Sequence, residues 1–202
     1  MIKSFAELDA RFAAIAGKAH TVRRNHAGAA GELFEVLMQG EIVGNDKGAD
    51  FAAINCEAKV HTSKSATTIF CMAFSRGIKP AEFSKRFGSG TVRMGKINKA
   101  GQSVAVVGDA LMVTVNGQAV AGWSLTEIAK RIEEKMPNLA MVNATKHDNR
   151  VVFNQMFIGK RVVADHFIAS ILAGDVVIEM RSGAVQFRAQ SKIIETWFET
   201  TH

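Results

Sequence analysis

The sequence predicts an α/β protein, a mixed central sheet flanked by helices. Three observations lead there. Segments with apolar residues at helical spacing alternate along the chain with short runs of period two. Gly, Asn and Pro signals separate these segments and leave no flexible linker, repeat or low-complexity tract. The 202 residues, 48% hydrophobic and 22% charged, are enough for one domain with a proper core.

Ser4-Phe-Ala-Glu7 has the form of a capping box, and Phe5, Leu8, Phe12 and Ile15 follow on one helical face that ends near Gly17. Residues 18–30 are polar, basic and glycine-containing and read as a loop. A second helix covers Gly31–Met38, with Leu33, Phe34, Leu37 and Met38 as its apolar stripe and Glu35 beside it. Cys56, Ala58 and Val60 then alternate with Glu57, Lys59 and His61, as in a strand whose two faces differ. The apolar run Ala66–Phe74 is expected to be the neighbouring strand. Asn116-Gly117, between Leu111–Val115 and Gln118–Gly122, is the strongest hairpin signal, with Ser103–Val107 as a further partner. Ser124-Leu-Thr-Glu127 is a second capping box. It starts a helix bearing Leu125, Ile128, Ile132 and Met136 that stops at Pro137. Leu139–Val142 reads as a short strand and 160–173 as a helix. Asp175–Met180 and Ala184–Arg188 read as antiparallel strands joined across Arg181-Ser-Gly183.

Several function classes fall away. No apolar run approaches the roughly 20 residues that span a bilayer. The N-terminus enters an amphipathic pattern at once, so a cytoplasmic protein with no membrane association is expected. Cys56 and Cys71 lack metal-ligand spacing and are expected as free thiols in core strands. His147 and His166 do not suggest a zinc pair. Gly90–Lys96 has the spacing of a phosphate-cradling loop, but Ile97 stands where the metal-binding hydroxyl is needed. The formal charge of +6 is compatible with a polyanionic partner.

The chemistry is concentrated in Ala49–Lys59. Glu57 and Lys59 share a strand face, and Asp50 can meet them if the chain turns near Asn55. Two carboxylates and an ammonium on one surface suit the holding of a hard divalent metal beside a phosphodiester. The alternative is an exposed ion pair between Glu57 and Lys59. Within a basic chain the first arrangement is what DNA cleavage requires, since cations hold the phosphates while carboxylates hold the metal.

Leu33-Phe-Glu35, Gly48-Ala-Asp50-Phe51 and Ile54-Asn-Cys-Glu57-Ala-Lys59 together resemble the catalytic half of the MutH-like and MvaI/BcnI-like endonucleases of the PD-(D/E)XK superfamily. The lead-in Arg23–Gly31 and the late stretch Leu172–Arg188 are also similar to these families, more loosely. Ala58 departs from the usual larger apolar residue, and the basic residue that often follows the lysine is displaced to His61 or Lys64.

The resemblance implies a restriction-endonuclease-like fold with a DNA-binding cleft between two lobes. The catalytic lobe is expected over about 1–100 and the recognition lobe over about 101–202. Asp50 and Glu57 would hold Mg²⁺, with Mn²⁺ as a substitute, helped by the backbone carbonyl of Ala58. Lys59 would hold the attacking water, and Glu35 would serve a second metal directly or through water. Duplex DNA would meet Arg23, Arg24, His61, Lys64 and Lys96. Bases would be read from Lys146, Asn149 and Arg150 and from Arg181, Gln186 and Arg188, because Arg, Lys, Asn and Gln match the major-groove edges of guanine and adenine. The expected activity is that of a monomeric type II restriction endonuclease leaving 5′-phosphate and 3′-hydroxyl ends. A MutH-like mismatch-repair nickase and a DNA-binding module with a degenerate site are the alternatives.

Overall fold

The computed structural model describes residues 1–23, 26, 28–40, 49–62, 66–181 and 183–201. The chain forms two compact units that interleave in sequence. One comprises Met1–Ser65, Lys135–Val162 and Phe198–His202, the other Ala66–Glu134 and Val163–Trp197. Among the described residues no helix is long and apolar enough to cross a membrane.

The first unit is a mixed sheet covered by two helices. Helix α1 (Phe5–Ile15) starts where the Ser4 hydroxyl accepts the Glu7 N–H at 3.1 Å, and it buries Leu8, Phe12 and Ile15. Helix α2 (Ala29–Gln39) buries Phe34 and Met38 and ends at Gly40, whose φ of 90° closes the last turn. Both helices pack on the sheet through a core that includes Cys56, Ala140, Val142, Val151 and Phe153. The sheet runs β1 (Ala19–Thr21), β10 (Arg150–Val162), β9 (Asn138–His147), β2 (Cys56–His61), and β13 (Phe198–Thr201) also pairs with β10. The β2–β9 pair is parallel and the other pairs are antiparallel. The parallel pair makes the sheet mixed, as expected.

The second unit contains two four-stranded sheets. One runs β3 (Thr67–Cys71), β12 (Ala184–Ala189), β11 (Val177–Arg181), β5 (Gly90–Val92). The other runs β4 (Arg76–Gly77), β8 (Gln118–Ser124), β7 (Ala110–Val115), β6 (Gln102–Val107). Helices α3 (Pro80–Phe87), α4 (Leu125–Lys135), α5 (Ala164–Leu172) and α6 (Ser191–Ile194) complete the chain. An aromatic cluster of Phe70, Phe74, Phe83, Trp123, Phe167, Phe187 and Trp197 fills the core of this unit. The β7–β8 hairpin turns at Asn116 and Gly117, both at positive φ, and the Ser124–Glu127 capping box is reciprocal.

Five expectations change. Ala66–Phe74 supplies β3, but β3 pairs with β12, and the neighbour of β2 is β9, which pairs Cys56 with Asn138 far downstream. Residues 19–21, expected as loop, are β1 on the edge of β10. The strand expected at Leu139–Val142 extends to His147, so most of the Lys146–Arg150 loop is ladder, with a tight turn at Asp148-Asn149. The helix expected from residue 160 starts at Ala164, because β10 continues through Val162. Cys56 is buried but Cys71 is exposed: Cys71 pairs with Gln186 on the solvent face of the sheet.

Candidate active site

The chain reverses between Asp50 and β2 through a short 3₁₀ turn, Ala52–Ile54, and a left-handed residue, Asn55 at φ 47°. Phe51 and Cys56 exchange backbone hydrogen bonds at 2.9 and 3.3 Å across this turn. Two residues further along β2, on the same edge, the Ala58 N–H donates to Asp50 Oδ2 at 2.7 Å. Among the described residues β2 is the terminal strand of its sheet, with β9 on its other side. The Asp50 carboxylate therefore occupies a ladder position that a further strand would otherwise take. N–H and C=O of one extended residue face the same edge, so the Ala58 carbonyl lies on the side where Asp50 sits.

Glu57 and Lys59 project together from the face of β2 opposite the helices, as their alternation predicts. Lys59 Nζ lies 2.5 Å from Glu57 Oε1. The side chains are 13% exposed for Glu57 and 24% for Lys59, so this is no solvated surface pair. Burial pushes the Glu57 pKa up, the Lys59 charge opposes that, and the Asp50 charge adds to it. The same two acids, after burial, raise the Cys56 thiol to about 12. Two acids held close together and partly shielded from water repel one another, and a nearby cation relieves this.

The donor set fits Mg²⁺. One or two carboxylates with carbonyl and water oxygens are its usual protein ligands. Among the described residues no three His, Cys, Asp or Glu side chains are arranged to share one metal, so Glu35 is not gathered with Asp50 and Glu57. Glu35 lies on α2 one turn before Gln39, whose amide donates to the Asp50 carbonyl at 3.2 Å. Glu32, on another side of α2, pairs with His26 at 3.2 Å. Gln39 escaped the sequence reading, as did Lys135, whose charge lowers the Glu57 pKa. Neither belongs to a motif.

The residues expected to meet DNA fall into two groups. In the first unit, Thr21 pairs with Arg150, the Val22 N–H donates to the Asn149 carbonyl at 2.8 Å, and Lys146 Nζ donates to the His26 carbonyl at 3.2 Å. These contacts bring Arg23, Lys146, Asn149 and Arg150 to one corner, although they lie far apart in sequence. His61 ends β2 on the Glu57 and Lys59 face, and burial lowers its pKa. Arg24 and Lys64 lie outside the described residues.

In the second unit, Glu179 accepts Arg181 Nε at 2.9 Å and Arg188 Nη1 at 2.5 Å. Arg188 Nη2 reaches the Ala66 carbonyl at 2.7 Å, and Gln186 accepts from the Thr68 hydroxyl at 3.4 Å. The Arg181 hydrogen bond chiefly holds the Glu179 carboxyl below the usual range. Gln186 pairs with Glu179 in register, so all four side chains line one face of β11–β12. Lys96 is exposed at the end of a loop bridged to Arg93. No helix follows Gly95, which removes the phosphate-loop reading.

No protein-family model and no curated protein matches the chain. Solved structures do. The structure titled "Restriction endonuclease MvaI-cognate DNA substrate complex" aligns with a TM-score of 0.79 at 17% identity, covering 100% of this chain and 98% of that one. MvaI in the absence of DNA aligns with a TM-score of 0.57 at 16% identity, covering 98% and 99%. The chain therefore has the MvaI-like restriction-endonuclease fold over its whole length.

Proposed function

We propose that this chain is a Mg²⁺-dependent, sequence-specific endonuclease of duplex DNA, acting as a monomeric type II restriction enzyme. The observation behind it is the β2 edge, where Asp50, Glu57 and Lys59 meet in a fold shared with a nuclease. The likeness to MvaI bound to its DNA substrate supports duplex DNA as the partner.

Asp50 would hold the metal through the oxygen that Ala58 does not use, with Glu57 and the Ala58 carbonyl beside it. A bound divalent ion would polarise the scissile phosphate and acidify a water. Lys59, paired with Glu57 in this structure, would orient the attacking water and offset the charge that grows on the phosphate. Attack at phosphorus displaces the 3′ oxygen, which takes a proton and leaves as a hydroxyl, while the phosphate stays on the 5′ end. Glu35 would act at longer range, through water, on a second metal.

The first unit would supply catalysis and the corner around Arg150. The polar face of β11–β12 would supply base reading, and Lys96 a phosphate contact. The test is digestion of plasmid DNA with Mg²⁺, with Lys59→Ala as control. Linear product at a defined sequence supports the restriction reading. Nicked product alone favours the MutH-like alternative, and no product from the intact chain removes nuclease activity.

A further inference from the structure

Asn138 has no place in the acid…acid-x-Lys motif, and its side chain nevertheless holds the turn that delivers Asp50 to β2. It is the first residue of β9, in register with Cys56 on one side and Lys160 on the other. Its Nδ2 donates to the carbonyls of Ile54 and Asn55 at 3.0 and 3.1 Å. Its Oδ1 accepts the N–H of Arg161 at 3.0 Å. Only this orientation of the amide satisfies all three groups.

Asn55 and Arg161 have φ of 47° and 54°, two of the four described non-glycine residues at positive φ. Side chains other than Asn and Asp are disfavoured there. Asn55 closes the reversal that leads into β2, and Arg161 is the penultimate residue of β10. One amide therefore ties down two unfavourable backbone conformations on opposite flanks of β9. The Asn55 side matters for chemistry. The residues from Phe51 to Asn55 set where Asp50 lies along β2, and the hydrogen bond from Ala58 to Asp50 depends on it.

We propose that Asn138 is a positioning residue for the active site, acting through the Asn55 turn to hold Asp50 against the edge of β2. The catalytic consequence rests on the nuclease reading. The geometric one does not.

The experiment combines cleavage kinetics with amide hydrogen exchange. Asn138→Ala should lower kcat by about 10- to 100-fold with KM for duplex little changed, the size seen when an outer support of a metal site is removed. It should speed exchange of the Ala58 N–H while Val142 and Phe153 keep their protection. Adding Asn55→Gly should restore most of kcat and of Ala58 protection, because glycine adopts positive φ without help. Adding Arg161→Gly instead should restore neither. Should Asn138→Ala not fold, Asn138→Ser, which keeps one donor, takes its place. Normal kcat in the single variant, rescue by Arg161→Gly rather than Asn55→Gly, or exchange that rises uniformly through the sheet would each overturn the proposal. A wild-type chain that cuts no DNA would remove the nuclease reading, and Ala58 exchange would still decide the role of Asn138.

Discussion

The edge of β2 and the solvent face of β11–β12 both gather carboxylates and cations, with opposite balance. At β2 two acids, Asp50 and Glu57, stand beside one lysine, which pairs with Glu57 while Asp50 accepts the Ala58 N–H. At β11–β12 one acid, Glu179, is shared by two arginines. The pKa directions follow: Glu57 is raised, first by burial, and Glu179 is lowered, first by its hydrogen bond from Arg181. The first cluster sets two acids against one lysine in a shielded place, a balance that a bound cation would complete. The second has surplus positive charge, which an anion or the acceptor-rich edge of guanine would complete. The number of salt bridges does not distinguish them. Which sign is left over does.

The largest effect should come from removing Lys59 or either acid at β2. Alanine at Asp50, Glu57 or Lys59 is expected to lower the cleavage rate by at least about 100-fold, measured in single turnover, with DNA binding retained. Ca²⁺ should support binding without turnover. Near-normal cutting by Lys59→Ala would show that surplus negative charge at β2 is not the active site.

At β11–β12 the corresponding change is a loss of reading. Arg188→Ala, and Arg150→Ala in the first unit, should weaken cognate binding by roughly 1–3 kcal/mol while random duplex changes little. Lys96→Ala should weaken both alike and flatten the salt dependence by about one unit. Glu179→Gln should do the reverse, tightening random binding and steepening the salt dependence. If it leaves random binding untouched, the two arginines do not face DNA.

Glu35 and Glu32 sharpen the catalytic side. Glu35→Gln is expected to slow cleavage by about 10-fold and Glu32→Gln to leave it unchanged, because Glu35 lies one turn from the Gln39 contact to Asp50 while Glu32 is turned to His26. The reverse order would place the helix carboxylate wrongly.

The smallest effect concerns stability. Glu57 is a largely shielded acid with a raised pKa, so the folded state binds its proton more tightly than the unfolded state does. It therefore destabilises the fold above its folded pKa, and the penalty fades as pH falls through that value toward the unfolded one. Glu57→Gln should raise Tm by about 2 °C at pH 7 without metal, with the difference closing at acid pH. Mg²⁺ should raise Tm of the wild type and not of the variant. A lower Tm for Glu57→Gln at neutral pH would mean that the Lys59 pair outweighs burial.

The sequence disclosed what depends on neighbours in the chain. Ser4 and Ser124 announce their helices, Asn116-Gly117 its hairpin, and Cys56–His61 its two faces. Asn55 as the site of the turn was also legible, since the acids could meet in no other way. What depends on distant pairing was not. Nothing in Ala66–Phe74 says that β12 rather than β2 will be its neighbour. The parallel partner of β2 comes from Asn138–His147, whose burial on both faces hides the period-two pattern. Asn138 and Gln39 act through side-chain hydrogen bonds to backbone groups, which leave no spacing to find. The corner of Arg23 with Arg150 depends on β1, a strand of three residues that a polar composition disguised.

The position of Asp50 has a further consequence, for how the chain behaves in a crowd of its own kind. A terminal strand offers unpaired N–H and C=O groups on which another molecule can add a strand, and such additions propagate into aggregates. Phe51 engages the ladder groups of Cys56, and the Asp50 carboxylate takes the N–H of Ala58 while placing a charge in the path of any incoming chain. The residue that would hold the metal thus also closes the edge of the sheet. Loss of Asp50 should leave a protein that is both inactive and sticky, whereas loss of Glu57 on the face of the strand should leave one that is only inactive.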